Sequence, residues 1–216
     1  MSIKKSYTML ILHGFMMKSS EMEYIARKIN RILPSNTIFK YNFLQAPKRP
    51  ITIYGGKKYH AWYDYLSNEV YTEEKINTNH LKESREQIHK ILDEEISLLE
   101  GNSQRVFILG YSQGCCTTLD SALTYPKLLG GVIGFKGHIP SFTEETKNYK
   151  QKIWVTHGEN DDAIGYDVAK DSYMKYKKKG FDVKFLSQKN PKHDLNDGIN
   201  EQMRSLEKWL TPKLNL

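Results

Sequence analysis

Arg105-Val106-Phe107-Ile108-Leu109-Gly110-Tyr111-Ser112-Gln113-Gly114 is the stretch on which the fold turns. The apolar run from Val106 to Leu109 has no polar alternation, which reads as a strand covered on both faces. G-x-S-x-G follows it directly, and residues 115–125 are compatible with a helix. A serine on such a strand-to-helix turn is held in a strained backbone conformation. Its small neighbours let strand and helix pack closely, and the new helix points amide donors at the hydroxyl. The five-residue pattern alone occurs by chance in many chains. The strand before it and the helix after it give it weight over the plainer reading, a serine that merely caps a helix.

Outward from this turn, short β-rich runs alternate with segments of helical period. The runs fall at residues 7–12, 37–43, 105–110, 131–135, 152–156 and 182–186. Helical patterns fall at 21–33, with Met22, Ile25 and Ile29 on one stripe, and at 79–99, with Leu81, Ile88, Leu92 and Ile96. Residues 167–179 and 199–210 supply two more. This alternation predicts an α/β fold with a mostly parallel, doubly wound sheet covered by helices on both faces. Residues 45–74 break the rhythm with Pro47, Pro50 and Gly55-Gly56 among tyrosines and a tryptophan. They read as a long irregular loop near the functional site, since long loops within compact domains usually serve function. One domain over residues 1–216 is the expectation from length.

Composition bounds the function classes. The 216 residues carry 32 Lys+Arg against 25 Asp+Glu, a formal charge of +7. The lysines are scattered, and the densest run, Lys175-Tyr176-Lys177-Lys178-Lys179-Gly180, suits the last turn and cap of a helix. A dedicated nucleic-acid reader would concentrate arginine-rich charge on one element, so that class is set aside. Peripheral contact with an anionic membrane stays open. Cys115 and Cys116 are the two cysteines, adjacent in sequence. They support neither a disulfide framework nor a four-ligand zinc site, so no metal or cofactor is expected and a cytoplasmic setting is. Ser2 stands where a myristoylated chain carries glycine, and no prenylation motif closes the chain.

A nucleophilic serine needs a base and an acid that orients it, and on this topology they follow in the order Ser, Asp or Glu, His. Trp154-Val155-Thr156-His157-Gly158-Glu159-Asn160-Asp161-Asp162 leaves a strand into an acidic loop, and Asn190-Pro191-Lys192-His193-Asp194 follows the next strand. His193 is the candidate base, and Asp161 or Asp162 the acid. Two backbone amides must hold the oxyanion. Gln113, directly after the serine, offers one, and the loop after Leu10-Ile11-Leu12-His13-Gly14 offers the other at Phe15. His13 precedes the serine and reads as structural.

These stretches resemble the acyl-protein thioesterase, carboxylesterase and lysophospholipase family of α/β hydrolases. Leu12-His13-Gly14-Phe15 is similar to its L-H-G-x. Gln45-Ala46-Pro47-Lys48-Arg49-Pro50-Ile51-Thr52, Gly55-Gly56 and Ala61-Trp62-Tyr63-Asp64 resemble its A-P-x-R-P-V-T, G-G and S-W-[FY]-D. Gly110–Gly114 matches G-[FY]-S-Q-G, and His157–Asp161 matches H-G-x-x-D. The resemblance spans nearly the whole chain and puts Asp161 at the acid position. It implies a serine hydrolase that cleaves esters or thioesters through an acyl-enzyme on Ser112, with Asp161 and His193 completing the triad. A lysophospholipase-type lipid esterase and a non-catalytic binder on the same fold are the alternatives. Substrates would be acylated small molecules, lipids or S-acylated proteins. Met16, Met17, Tyr59, Trp62 and Tyr63 are of types suited to an apolar groove for an acyl chain, with Ile139 beside them as a substrate contact. The equal alternative for Trp62 and Tyr63 is that they pack the long loop onto the sheet. The chain departs from the pattern at Phe15-Met16-Met17, at Cys115-Cys116, and at Lys136-Gly137-His138, where the family runs from a small residue to an aromatic.

Overall fold

In the computed structural model, which describes residues 5–214, one sheet organises the chain. The readings on Ser2 and on the closing residues lie outside that span. The strands are β1 (Lys5–Leu12), β2 (Thr37–Leu44), β5 (Val106–Tyr111), β6 (Gly131–Phe135), β7 (Lys152–Gly158) and β8 (Asp182–Gln188). They pair in the order β2-β1-β5-β6-β7-β8, every neighbour parallel. Five α-helices pack on them: α1 (Glu23–Asn30), α2 (Thr78–Leu98), α3 (Gln113–Thr124), α4 (Tyr166–Lys178) and α5 (Ile199–Leu214).

The period-2 alternation of each strand explains the two cores. Tyr7, Met9 and Ile11 of β1, with Phe107 and Leu109 of β5, face α1 and α5. Leu10 and Leu12, with Val106 and Ile108, face α2, α3 and α4. Both faces are therefore apolar, as the uninterrupted runs require. Burying each such side chain contributes about 1.5–3 kcal/mol before entropy is counted.

Residues 45–74 are less irregular than their composition suggests. Two short strands, β3 (Lys48–Ile51) and β4 (Lys57–His60), form an antiparallel hairpin outside the main sheet. Pro50 is tolerated because the two-stranded ribbon consists of edges alone. Its pairs join Lys48 to His60, Arg49 to Tyr59, Pro50 to Lys58 and Ile51 to Lys57, so no apolar alternation announces it.

The winding direction reverses between β1 and β5. Segments leaving their carboxyl ends diverge there, which in open α/β sheets creates the crevice where ligands bind.

Candidate active site

Ser112 leaves β5 with φ 55° and ψ −124°, a conformation that L residues adopt only under constraint. Its neighbours show what imposes it. A Cβ on Gly110 would stand 2.1 Å from the Gly114 carbonyl oxygen, and one on Gly114 would stand 2.4 Å from that of His13. Both glycines are thus required by close approach of strand, turn and helix. The Ser112 amide donates to Phe135 O at 2.9 Å, and its carbonyl accepts from the Cys115 amide at 2.8 Å, which starts α3.

His193 reaches this serine from the loop after β8. Its Nε2 lies 2.7 Å from Ser112 Oγ, and its Nδ1 lies 2.9 Å from both carboxylate oxygens of Asp161. A carboxylate only accepts, so Nδ1 carries the proton and Nε2 receives the serine hydroxyl. Asp161 Oδ1 also accepts the amides of Ala163 at 3.0 Å and Ile164 at 2.9 Å. Burial pushes the Asp161 carboxyl up. The hydrogen bond from His193, the two neighbouring imidazoles and the Ile164 amide outweigh it, so its value falls below the ordinary range. The neighbouring Asp162 accepts the His193 backbone amide at 3.3 Å, not its ring. His157 Nε2 lies 3.4 Å from Asp161. Burial lowers its value, so this contact joins a neutral imidazole to the carboxylate, and Nε2 lies closer, at 2.8 Å, to Ile164 O.

His13 shapes the facing wall. Burial keeps its ring neutral. Nε2 accepts the Ala46 amide at 3.0 Å, which leaves Nδ1 to donate to Gly14 O at 2.7 Å. In a trans peptide the carbonyl and the next N–H point opposite ways, so this bond turns the Phe15 N–H away from His13. Among the described residues, neither the Phe15 amide nor the Gln113 amide donates a hydrogen bond within the protein. The Gln113 side chain is occupied elsewhere, accepting the Trp62 amide and donating to Tyr63 O, both at 2.9 Å.

Between these walls lies a cavity of about 360 Å³, with Ser112, His193, Phe15 and Met17 on its lining. Of the expected groove residues only Met17 reaches it, and Phe15, expected to offer its amide, lines it as well. Met16 adopts φ 65° and gives its amide to His60 O, and the residue is 40% exposed. Trp62 and Tyr63 are core residues. Trp62 Nε1 donates to His13 O at 2.8 Å, and its carbonyl accepts the Ser84 hydroxyl. Ile139 is buried and borders a separate depression beside α4. Ile53, Tyr54, Tyr65, Asn68, Glu74 and Ile164 line the cavity instead. They come from the long loop and from the start of the segment before α4. Their partners are remote in sequence, so only proximity to the Trp62-Tyr63 motif, or for Ile164 to Asp161, could have flagged them.

Cys115 and Cys116 are fully buried in α3, and burial pushes the Cys115 thiol well up. They pack the helix. Among the described residues, no group of three or more His, Cys, Asp or Glu side chains comes together in a way that could hold a metal. No described helix is long and apolar enough to cross a membrane.

Residues 2–213 match the model of a family described as phospholipase/carboxylesterase. The chain is 30% identical over 180 residues to carboxylesterase SOBER1 of Arabidopsis thaliana, covering 80% of this chain and 76% of that protein. It is 33% identical over 139 residues to acyl-protein thioesterase 1 of Schizosaccharomyces pombe, covering 64% and 59%. The crystal structure of Arabidopsis thaliana SOBER1 superposes with a TM-score of 0.83 at 27% identity, covering 97% of this chain and all of that one. Zea mays acyl-protein thioesterase 2, at 23% identity and a TM-score of 0.79, shares the fold.

Proposed function

The chain belongs to the phospholipase/carboxylesterase family of α/β hydrolases and is a carboxylic ester hydrolase, and from that premise we propose how it works and on what. Ser112 is the nucleophile, His193 the base and Asp161 the group that orients it. His193 Nε2 takes the hydroxyl proton as Ser112 Oγ attacks an ester or thioester carbonyl. The oxyanion that forms is met by the amides of Phe15 and Gln113. His193 then gives the proton to the leaving alcohol or thiol, and an acyl-enzyme remains. Water, activated by the same imidazole, releases the acid. Asp161 stays ionised throughout and holds the tautomer. One observation carries this reading: the unbroken hydrogen-bonded line Ser112–His193–Asp161, at 2.7 and 2.9 Å, at the wall of a cavity.

The relatives named carboxylesterase and acyl-protein thioesterase support substrates that are acylated proteins, lipids or small esters. The apolar lining from Phe15, Met17, Ile53 and Ile164 suits the acyl part. The formal charge of +7 favours an anionic membrane as the place where a lipid-linked substrate is met. A single working domain over residues 1–216, acting in the cytoplasm, completes the proposal.

Stoichiometric labelling of the protein by a fluorophosphonate, lost in Ser112→Ala, tests the chemistry. A folded wild type that takes no label overturns it. A panel of p-nitrophenyl esters of rising chain length, an acyl-thioester peptide and a lysophospholipid, the last with and without anionic vesicles, ranks the substrate classes by kcat/KM.

A further inference from the structure

Lys136 follows β6, where the family pattern has a small residue, and it is 1% exposed. A buried lysine needs a reason. This one adopts φ 53°, a further cost for a long side chain. Its backbone is part of the sheet's edge: the Lys136 amide donates to Thr156 O at 2.9 Å, continuing the β6–β7 pairing by one residue.

Its side chain runs to the loop that carries His193. An ammonium has three N–H donors, and Lys136 Nζ has three acceptors. These are Lys192 O at 2.5 Å, Asp194 O, and Asp197 O at 3.2 Å. The first two flank His193 on either side. The His193 carbonyl between them accepts the Tyr111 hydroxyl. Three consecutive carbonyls, at 192, 193 and 194, are therefore pinned to groups at the ends of β5 and β6. Bonds within the loop, such as Lys192 N to Asp197 Oδ2 at 2.8 Å and Asn196 N to Asp194 Oδ1 at 2.6 Å, shape it without fixing it to the sheet. Besides the His193 ring, it is also anchored by the His193 amide donating to Asp162 Oδ1 at 3.3 Å and, at its far end, by Gln188 Nε2 of β8 donating to Gly198 O at 3.2 Å. Burial lowers the Lys136 ammonium's value, while Asp161, Asp197, Asp194 and Asp162 favour its charge.

We propose that Lys136 is a positioning residue of the hydrolytic site: its buried ammonium clamps the Lys192 and Asp194 carbonyls and thereby sets the reach of the His193 imidazole between Asp161 and Ser112. It touches neither substrate nor the reacting atoms, since it does not line the cavity. The inference rests on His193 being the base, as proposed above. A misplacement of about 1 Å in such a base can cost on the order of 10²-fold in rate.

Two variants and one measurement on the wild type test it. Lys136→Met keeps the apolar stem and loses the donors. Lys136→Asn tolerates positive φ well and is too short to reach the loop, which guards against failure to fold. Both are expected to lose about tenfold to a hundredfold in kcat. KM stays within about twofold because the binding surface is untouched. Fluorophosphonate labelling slows in parallel, and hydrogen exchange quickens over residues 190–198 alone. Wild-type kcat in either folded variant overturns the proposal. So does a loss accompanied by faster exchange across the whole sheet, the mark of a merely structural lysine. Should neither variant fold, wild-type exchange decides. Amides at 192–198 as protected as those of β6 support the clamp, and amides as fast as those of the exposed loop at 66–73 overturn it. Wild-type labelling separates the two levels. No label on wild type means that the reading of the site fails, whereas wild-type label with equally fast variants means that only the clamp fails.

Discussion

Asp161 and Asp162 are chemically identical neighbours with different work, and the difference is where their oxygens point. Asp161 faces the His193 ring and two loop amides, whereas Asp162 takes the His193 backbone amide. Asp161→Asn offers an amide in place of the only group that fixes the ring tautomer. It is expected to lower kcat by roughly 10³–10⁴-fold with KM little changed, measured on a soluble p-nitrophenyl ester. Asp162→Asn removes part of one hydrogen bond and should change kcat by no more than about tenfold. Equal losses in the two variants would contradict the assignment. At this scale Ser112, His193 and the acidic loop that the structure brings together were legible from residue type, chain order and the strand ends, and the resemblance singled out Asp161. Lys136 stands out in the sequence as a departure from the family pattern, but its contacts are not legible there, because its three acceptors lie 56, 58 and 61 residues further along the chain.

At the scale of elements, the site depends on how tightly α3 lies against β1 and β5. Gly114→Ala places a methyl 2.4 Å from His13 O, which is backbone and has nowhere to go. The helix must shift, so a loss of about 1–3 kcal/mol or more in urea unfolding is expected, with fluorophosphonate labelling lost before the fold is. The long loop is a second support. Trp62 Nε1 holds the same His13 whose ring orients the Gly14–Phe15 peptide. Trp62→Phe leaves that carbonyl buried without its donor and should cost about 1–3 kcal/mol. The resemblance located Trp62, and its residue type left a groove residue and a packing residue equally open. Burial made it a brace, and nothing in a linear sequence distinguishes an aromatic that lines a cleft from one that stands behind it.

At the scale of the whole molecule, buried charge couples the cleft to pH. His138 lies behind the cavity with Nε2 at 3.3 Å from Glu74 Oε2, and its amide donates to Cys116 Sγ at 3.4 Å. Burial disfavours its charged form. The Cys116 sulfur and the Glu74 carboxylate outweigh that and raise its value well above 6.5. A raised imidazole contributes stability in full below pH 6.5, and that contribution drains away as pH climbs through the folded-state value. The thermal midpoint of wild type should therefore fall on the alkaline side of neutrality more than that of His138→Gln, measured by calorimetry from pH 6 upward. Parallel curves for the two proteins would show that the pair contributes nothing. The net charge of +7, prominent in the composition, has no counterpart in the cavity, whose lining includes no lysine or arginine.

The sequence by itself determined the α/β alternation, the nucleophile turn and the order of its partners. Those depend on local periodicity, on glycine's lack of a Cβ, and on residue chemistry that survives being read one position at a time. The six main strands, expected within a few residues of where they lie, follow from the same local rules. Only the tertiary structure decided how the two aspartates divide between the ring and the backbone of His193, which aromatics line the cavity, and that the Lys136 ammonium reaches carbonyls 56, 58 and 61 residues further along the chain. Each of these is a matter of direction and distance between segments that the chain separates widely. Packing the two cores sets those directions, because each strand must turn alternate side chains to opposite faces before its ends can be brought together.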